Sequence, residues 1–235
     1  MAVDRMDNSQ GRKKVTLILF TLNEIDGMRA VMPAIKKEWY DQLIIVDGGS
    51  TDGTVAYARE KGYPIFQQSK PGAGVAFLES MARATGDIVI IFSPDGNSMP
   101  EKIPELVRKM EEGYDIVIVS RYLDGAKSYD DDMVTAFGNW MFTTIMNTLF
   151  GLRITDCLVM YRAMRGDIVE HLKINTHTVS WGTQLLARAA RKKLKIGEIP
   201  GDEPARIGGV RKMDPFRNGV AELTMIVKEF FNRRR

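Results

Sequence analysis

The chain has one cysteine, Cys157, and two histidines, His171 and His177, among 235 residues. A lone thiol closes no internal disulfide. With so few soft ligands no zinc site can be assembled, so any metal must be held by oxygen. Neither sign of charge dominates: Lys and Arg number 33 against 30 Asp and Glu, a formal charge of +3. That excess is too small for a protein whose main partner is nucleic acid. No apolar stretch reaches the ~18 residues of a membrane span, and the longest buried-looking run, Val15 to Phe20, is strand-sized. Residues 1–14 are polar and lack the apolar core of a secretion signal. They point to a disordered tail over 1–13 and a cytoplasmic protein, with peripheral contact at a membrane surface left open.

Cofactor and nucleophile motifs are missing too. Strand one runs into Thr21-Leu22-Asn23-Glu24, where a dinucleotide fold would place Gly-x-Gly-x-x-Gly. Gly72-Ala73-Gly74 precedes a helix but has no Gly-Lys-Ser/Thr after it. There is no Gly-x-Ser-x-Gly, and neither histidine stands in a triad pattern. Hydride transfer, ATPase chemistry and serine hydrolysis lose their support.

What remains is an ordinary globular balance, 44% hydrophobic and 27% charged, long enough for a full core. Apolar runs at Val15 to Phe20, Gln42 to Val46, Pro64 to Gln67, Asp87 to Phe92 and Asp115 to Ser120 predict strands. Helical stretches at Gly27 to Lys37, Thr54 to Lys61, Gly72 to Thr85 and Glu101 to Glu112 alternate with them. This pattern predicts an α/β fold with a mostly parallel sheet covered by helices on both faces. The second half predicts helices at Phe137 to Phe150, Trp181 to Lys193 and Ala221 to Asn232, and a strand at Lys195 to Ile199. Ligands of such sheets bind at the C-terminal strand ends. Asn23 and Glu24, Asp47, Asp95 and Asn97, and Arg121 stand there.

Those residues carry a resemblance. Thr21-Leu22-Asn23-Glu24, Ile45-Val46-Asp47-Gly48-Gly49-Ser50-Thr51-Asp52-Gly53-Thr54 and Ala84-Thr85-Gly86-Asp87 through Ser93-Pro94-Asp95-Gly96-Asn97 resemble the family 2 glycosyltransferases of GT-A fold. Ser120-Arg121-Tyr122 and Asp156-Cys157-Leu158-Val159-Met160-Tyr161-Arg162-Ala163 are similar to the branch containing dolichyl-phosphate mannosyltransferases. The resemblance spans Val15 to Met213. It implies one GT-A domain over 14–235, with a nucleotide-sugar-binding half at 14–120 and an acceptor half at 121–235.

The resemblance implies a nucleotide-sugar donor and transfer with inversion. Asn23, Glu24 and Asp47 would contact base or ribose, while Ser50, Asp52 and Thr54 are expected to be structural, a turn and helix cap. Asp95 would hold Mg²⁺ or Mn²⁺ against the donor diphosphate, neutralising the departing nucleotide. The family's Asp-x-Asp is here Asp95-Gly96-Asn97, which costs the metal site one negative charge.

For the acceptor, the helix at Trp181 offers Gln184 on the substrate side and no carboxylate base. An acceptor that is already an anion, a polyprenyl phosphate, needs no base and is met by cations. The lipid-phosphate branch supplies them at positions matched by Arg121 and by Arg206 and Lys212. Against this stands the acidic run Asp130-Asp131-Asp132, with Thr135 near where that branch has a further Arg. These aspartates could serve a second metal, act as base for a hydroxyl acceptor, or form a solvated acidic loop. A nucleotide-sugar-binding protein without transfer is the third reading, suggested by Asn97 and Gln184. The helix face Trp140, Met141, Phe142, Ile145, Met146, Leu149 and Phe150 reads as core or membrane contact. From Arg206 onward eight Lys and Arg face three Asp and Glu, and Phe230 and Phe231 precede Arg233 to Arg235, as in interfacial segments.

Overall fold

The computed structural model describes residues 12–208 and 214–232. Seven strands form one sheet in the order β3-β2-β1-β4-β6-β5-β7. They are β1 (Val15–Thr21), β2 (Gln42–Asp47), β3 (Ile65–Gln67), β4 (Ile88–Phe92), β5 (Ile116–Ser120), β6 (Arg162–Arg165) and β7 (Ile196–Pro200). β6 is antiparallel to both of its neighbours, and the other pairings are parallel. The mostly parallel α/β sheet is therefore as expected, while β6 escapes the sequence pattern: Arg-Ala-Met-Arg is too short and too charged to read as a strand.

Alternation along the strands feeds two cores. Leu17, Leu19, Ile45, Ile88, Ile90, Val117 and Ile199 pack with Met28, Val31, Ala58, Leu106 and Met110 on one face. These last five lie on α1 (Ile25–Val31), α2 (Thr54–Glu60) and α4 (Ile103–Glu111). Ile18, Val46, Ile91, Ile118 and Met164 pack with Phe77, Met146, Ile168, Leu185 and Ile226 on the other. The elements there are α3 (Ala73–Met81), α5 (Met133–Phe150), α6 (Ile168–Leu172), α7 (Trp181–Arg191) and α8 (Pro215–Phe231). Burial on both faces explains the uninterrupted apolar strands.

Helix boundaries depart from the sequence pattern for local reasons. α1 ends at Val31, where Pro33 forces a 3-10 turn over Met32–Ala34. α5 starts four residues earlier than the apolar pattern suggests, because Asp132 and Thr135 form a reciprocal capping box. α8 starts at Pro215, behind the Asp214 cap, and carries Gly219 in its interior.

β1 lies between β2 and β4, and the chain leaves it toward β2. The gap between the ends of β1 and β4 is thus the topological switch point, where α/β sheets bind ligands.

Candidate active site

Across that switch point Glu24, after β1, meets Asp95, after β4. Their approach depends on Gly27 in the first turn of α1. A Cβ there would lie 2.3 Å from the Pro94 carbonyl oxygen and 2.8 Å from Asp95 Cα. Only glycine lets α1 pack this closely on the Asp95 backbone. Gly96, at φ +91°, turns the chain after Asp95, and its Cα face is covered by Ile207.

A cation already occupies the acidic gap. Arg206 Nη1 lies 2.7 Å from Asp95 Oδ2 and 3.6 Å from Glu24 Oε1, and Nη2 lies 3.9 Å from Asp130. The late loop is anchored there by the Ile207 N–H, which donates to the Asp95 carbonyl at 2.8 Å. Arg206 is therefore brought to the metal-binding position predicted for Asp95, not to a separate acceptor pocket. Lys212 and Arg211 lie outside the described residues.

A second cluster adjoins the first. Arg121 follows β5 and donates to both oxygens of Asp156, at 2.7 and 3.0 Å. Its Nη1 also reaches Glu203 at 3.2 Å and Asp131 at 3.4 Å. Burial opposes the guanidinium charge, yet Asp156, Glu203 and Asp131 hold its pKa well above the ordinary value. The cation expected for an acceptor phosphate is thus already surrounded by three carboxylates. Glu203 pulls the other way: burial raises its carboxyl, and Arg121 and Ser128 offset this only in part. Asn97 links the two clusters, its amide donating to Glu203 at 3.5 Å.

The acidic run is not a solvated loop. The Asp131 side chain is 5% exposed and is bound by Arg121 and the Tyr122 hydroxyl. Asp132 caps α5, accepting from the Thr135 N–H at 2.8 Å. Asp130 faces Arg206.

The nucleotide-side residues are bound up with one another. Asp47 is buried, and its Oδ2 accepts from the N–H groups of Gly49 and Ser50 at 2.8 and 2.9 Å. Its Oδ1 takes the Ser50 hydroxyl. Asn23 Oδ1 accepts from the Thr51 N–H at 2.7 Å. Asp52 accepts from the N–H groups of Thr54 and Ile25. Burial raises the Asp52 carboxyl, but those donors and the Thr54 hydroxyl outweigh it and hold the pKa below the usual value. Ser50, Asp52 and Thr54 thus stitch the β1 and β2 end loops together, the structural role expected of them. Asp47 joins that stitch through Gly49 and Ser50.

Gln184 is not brought to the strand ends. It is fully buried in α7, where it accepts from the N–H groups of Asn175 and Thr176 and donates to Glu229 of α8. The side-chain amide serves helix packing. Sequence reasoning passed over Glu203, and it quoted Asp156 within the resemblance without giving it a role. Glu203 follows β7 by three residues, so the strand-end rule applied to β7 would have found it.

The fit to a divalent ion can be tested on these donors. Among the described residues, no group of three or more His, Cys, Asp or Glu side chains converges closely enough to hold an ion alone. Asp95 and the Asn97 carbonyl are hard oxygen donors, and the acidic gap already accommodates a positive charge. They fit Mg²⁺ or Mn²⁺ as a partial shell that needs ligand oxygens to complete it.

A family model described as glycosyl transferase family 2 matches residues 16–173. A dolichyl-phosphate hexose transferase of Haloferax volcanii is 27% identical over 216 residues, covering 91% of this chain and 92% of the relative. The glycosyltransferase AglJ of the same organism is 25% identical over 210 residues, covering 87% of this chain and 68% of the relative. In fold, the chain is similar to glucosyl-3-phosphoglycerate synthase from Mycobacterium tuberculosis, solved with Mn²⁺, UDP-glucose and phosphoglyceric acid. The TM-score is 0.72 at 20% identity, over 93% of this chain and 80% of that one. The same enzyme has also been solved with Mg²⁺ and UDP. A carboxylate-lined switch point on a mostly parallel sheet, matched by a family model over more than half the chain, places this protein in glycosyl transferase family 2 as a glycosyltransferase of GT-A fold.

Proposed function

We propose that the chain transfers a sugar, with inversion, from a nucleoside-diphosphate sugar to a polyprenyl phosphate. The observation that carries the reading is the Arg206 guanidinium seated between Glu24, Asp95 and Asp130 at the switch point. A gap that stabilises one cation between carboxylates suits a divalent ion carrying a diphosphate, with Asp95 and Asn97 as its protein donors. Such an ion would neutralise the departing nucleotide. Glu24 would then contact base or ribose across this gap.

Arg206 then has two partners to choose between. When the carboxylates are neutralised by another cation, its guanidinium is released to pair with an anionic acceptor. The acceptor oxygen of a phosphate monoester is already ionised, so attack on the anomeric carbon needs no proton removed. This agrees with the state of the acidic run: Asp131 is held by Arg121 and Tyr122, and Asp132 is spent on capping α5. Asp130, the third of the run, faces Arg206. The similarity to a dolichyl-phosphate hexose transferase over nearly the whole chain supports the same acceptor class.

The test is transfer from a panel of radiolabelled nucleotide-sugars to a polyprenyl phosphate, with Mn²⁺ or chelator. Arg206→Ala and Lys212→Ala are expected to lower transfer far more than they weaken donor binding. Transfer to a free hydroxyl that collapses in Asp130→Asn or Asp131→Asn would overturn the acceptor assignment. Donor binding without any turnover would overturn the assignment of transfer itself.

A further inference from the structure

The outer surfaces of α5 and α8 carry an uncommon amount of exposed apolar side chain. On α8, Phe216, Val220, Leu223, Val227 and Phe231 are each 46% exposed or more. Their spacing of three and four residues puts them in one stripe along the helix. On α5, Met133, Val134, Phe137 and Trp140 are each at least 61% exposed. The two helices pack side by side in the same direction: Gly219 lies against Phe142, and the Phe230 ring lies 6.4 Å from that of Phe150. Isolated exposed apolar residues need no explanation, but two adjacent helices with such faces do.

Charge says what would cover them. α5 has no charged residue in 18 positions. The two carboxylates within α8 are turned inward. Glu222 is bound by the Thr183 hydroxyl, and Glu229 by Arg188 and Arg191. The exposed surface of α8 keeps Arg217 and Lys228, and the sequence continues into Arg233-Arg234-Arg235. The acids at the two helix starts, Asp132 and Asp214, are caps that accept backbone N–H groups. An apolar stripe with aromatic residues and positive flanks, free of exposed carboxylate along its length, complements an anionic lipid surface.

We infer that the paired faces of α5 and α8 dock the protein on the surface of an anionic phospholipid bilayer. No helix among the described residues is long and apolar enough to cross a membrane, so the contact is interfacial. Its location has a consequence that rests on the polyprenyl-phosphate reading. α5 begins at Met133, two residues after Asp131, which contacts Arg121, and α8 begins at Pro215, nine residues after Arg206. Docking through the starts of these helices brings the headgroup layer, and a lipid-borne phosphate within it, to the mouth of the site.

The test uses the full chain and vesicles of phosphatidylcholine with about a quarter phosphatidylglycerol. Wild type is expected to float with them, to bind less to phosphatidylcholine alone, and to be released by salt. Of the three tryptophans, Trp140 is exposed on α5, Trp181 is buried, and Trp39 is half-buried against the core on the opposite face of the sheet. Brominated lipid should therefore quench wild-type fluorescence, and Trp140→Phe should lose much of that quenching while still binding. Phe216→Glu with Leu223→Glu should weaken binding by at least about a hundredfold, from the loss of two apolar side chains that docking would bury. Because both positions are already solvent-exposed, the thermal midpoint should hold.

The inference is overturned if wild type ignores these vesicles or if the double variant binds them equally well. It is also overturned if wild type is a dimer that the double variant dissociates, with no vesicle binding. Transfer to a short-chain, water-soluble prenyl phosphate separates the two readings. Vesicle binding without such transfer supports docking and overturns the acceptor assignment, and transfer without vesicle binding does the reverse.

Discussion

Replacing Arg206 with alanine takes from Glu24, Asp95 and Asp130 the guanidinium that all three contact. The Asp95 contact is 2.7 Å, and the Arg206 side chain is 18% exposed, so solvent screens the cluster only weakly. One pair of unit charges about 4 Å apart is worth about 4 kcal/mol at an effective dielectric of about 20. Desolvation cancels part of the gain when the cluster forms, but removing one partner from a buried cluster costs about 3–5 kcal/mol, because the remaining charge stays buried. A chain of this length loses about 2–4 °C of midpoint per kcal/mol. Arg206→Ala in chelator should therefore melt roughly 10 °C below wild type. A divalent cation can neutralise the same carboxylates, and in the variant it does not have to displace the Arg206 guanidinium. Mn²⁺ should thus raise the variant's midpoint well beyond its effect on wild type. Scanning calorimetry with chelator and with Mn²⁺ reads both quantities. Equal midpoints in chelator, or equal gains from Mn²⁺, would refute the idea that Arg206 and a metal compete for one position.

Four further outcomes are expected. Asp156→Asn removes the buried anion that grips Arg121 and should cost about 3–5 kcal/mol in denaturant unfolding. Gly27→Ala drives a Cβ into the Pro94–Asp95 backbone, so it should lower the melting midpoint and weaken nucleotide binding together in calorimetric titration. Asp47→Ala unpins the loop at Gly49 and Ser50; amide exchange there should accelerate while protection in β4 and β5 stays. Burial raises the pKa of Glu222, with Thr183 and Arg162 offsetting only part of the shift. Its folded value thus lies above the unfolded one of about 4.3. Stability from this group is complete below that unfolded value and is lost as pH rises through the folded one. Glu222→Gln should flatten the fall of the melting midpoint as pH rises above the unfolded value, and an unchanged profile would show that Glu222 is not the group responsible.

The sheet was legible in the chain because its strands are buried on both faces. Runs such as Ile88–Phe92 are apolar at every position, which no solvent-facing segment can be. The strand-end rule then marked Glu24 and Asp95, since the ends of parallel strands share one edge whatever the side chains do. The turn chemistry of Ser50, Asp52 and Thr54 was local and equally readable. Partner choice was not. Arg206 lies 111 positions from Asp95 in sequence, and only the closure of the late loop over Gly96 seats its guanidinium there. Arg121 is a free cation by composition and a neutralised one in the fold, because Asp131, Asp156 and Glu203 converge on it from three separate segments. Gln184 looked like a substrate contact until α8 packed over it. Period and turn chemistry act over a few residues, so they are written in the sequence. Ion pairing depends on distances between remote segments, and those are decided only when the tertiary structure closes.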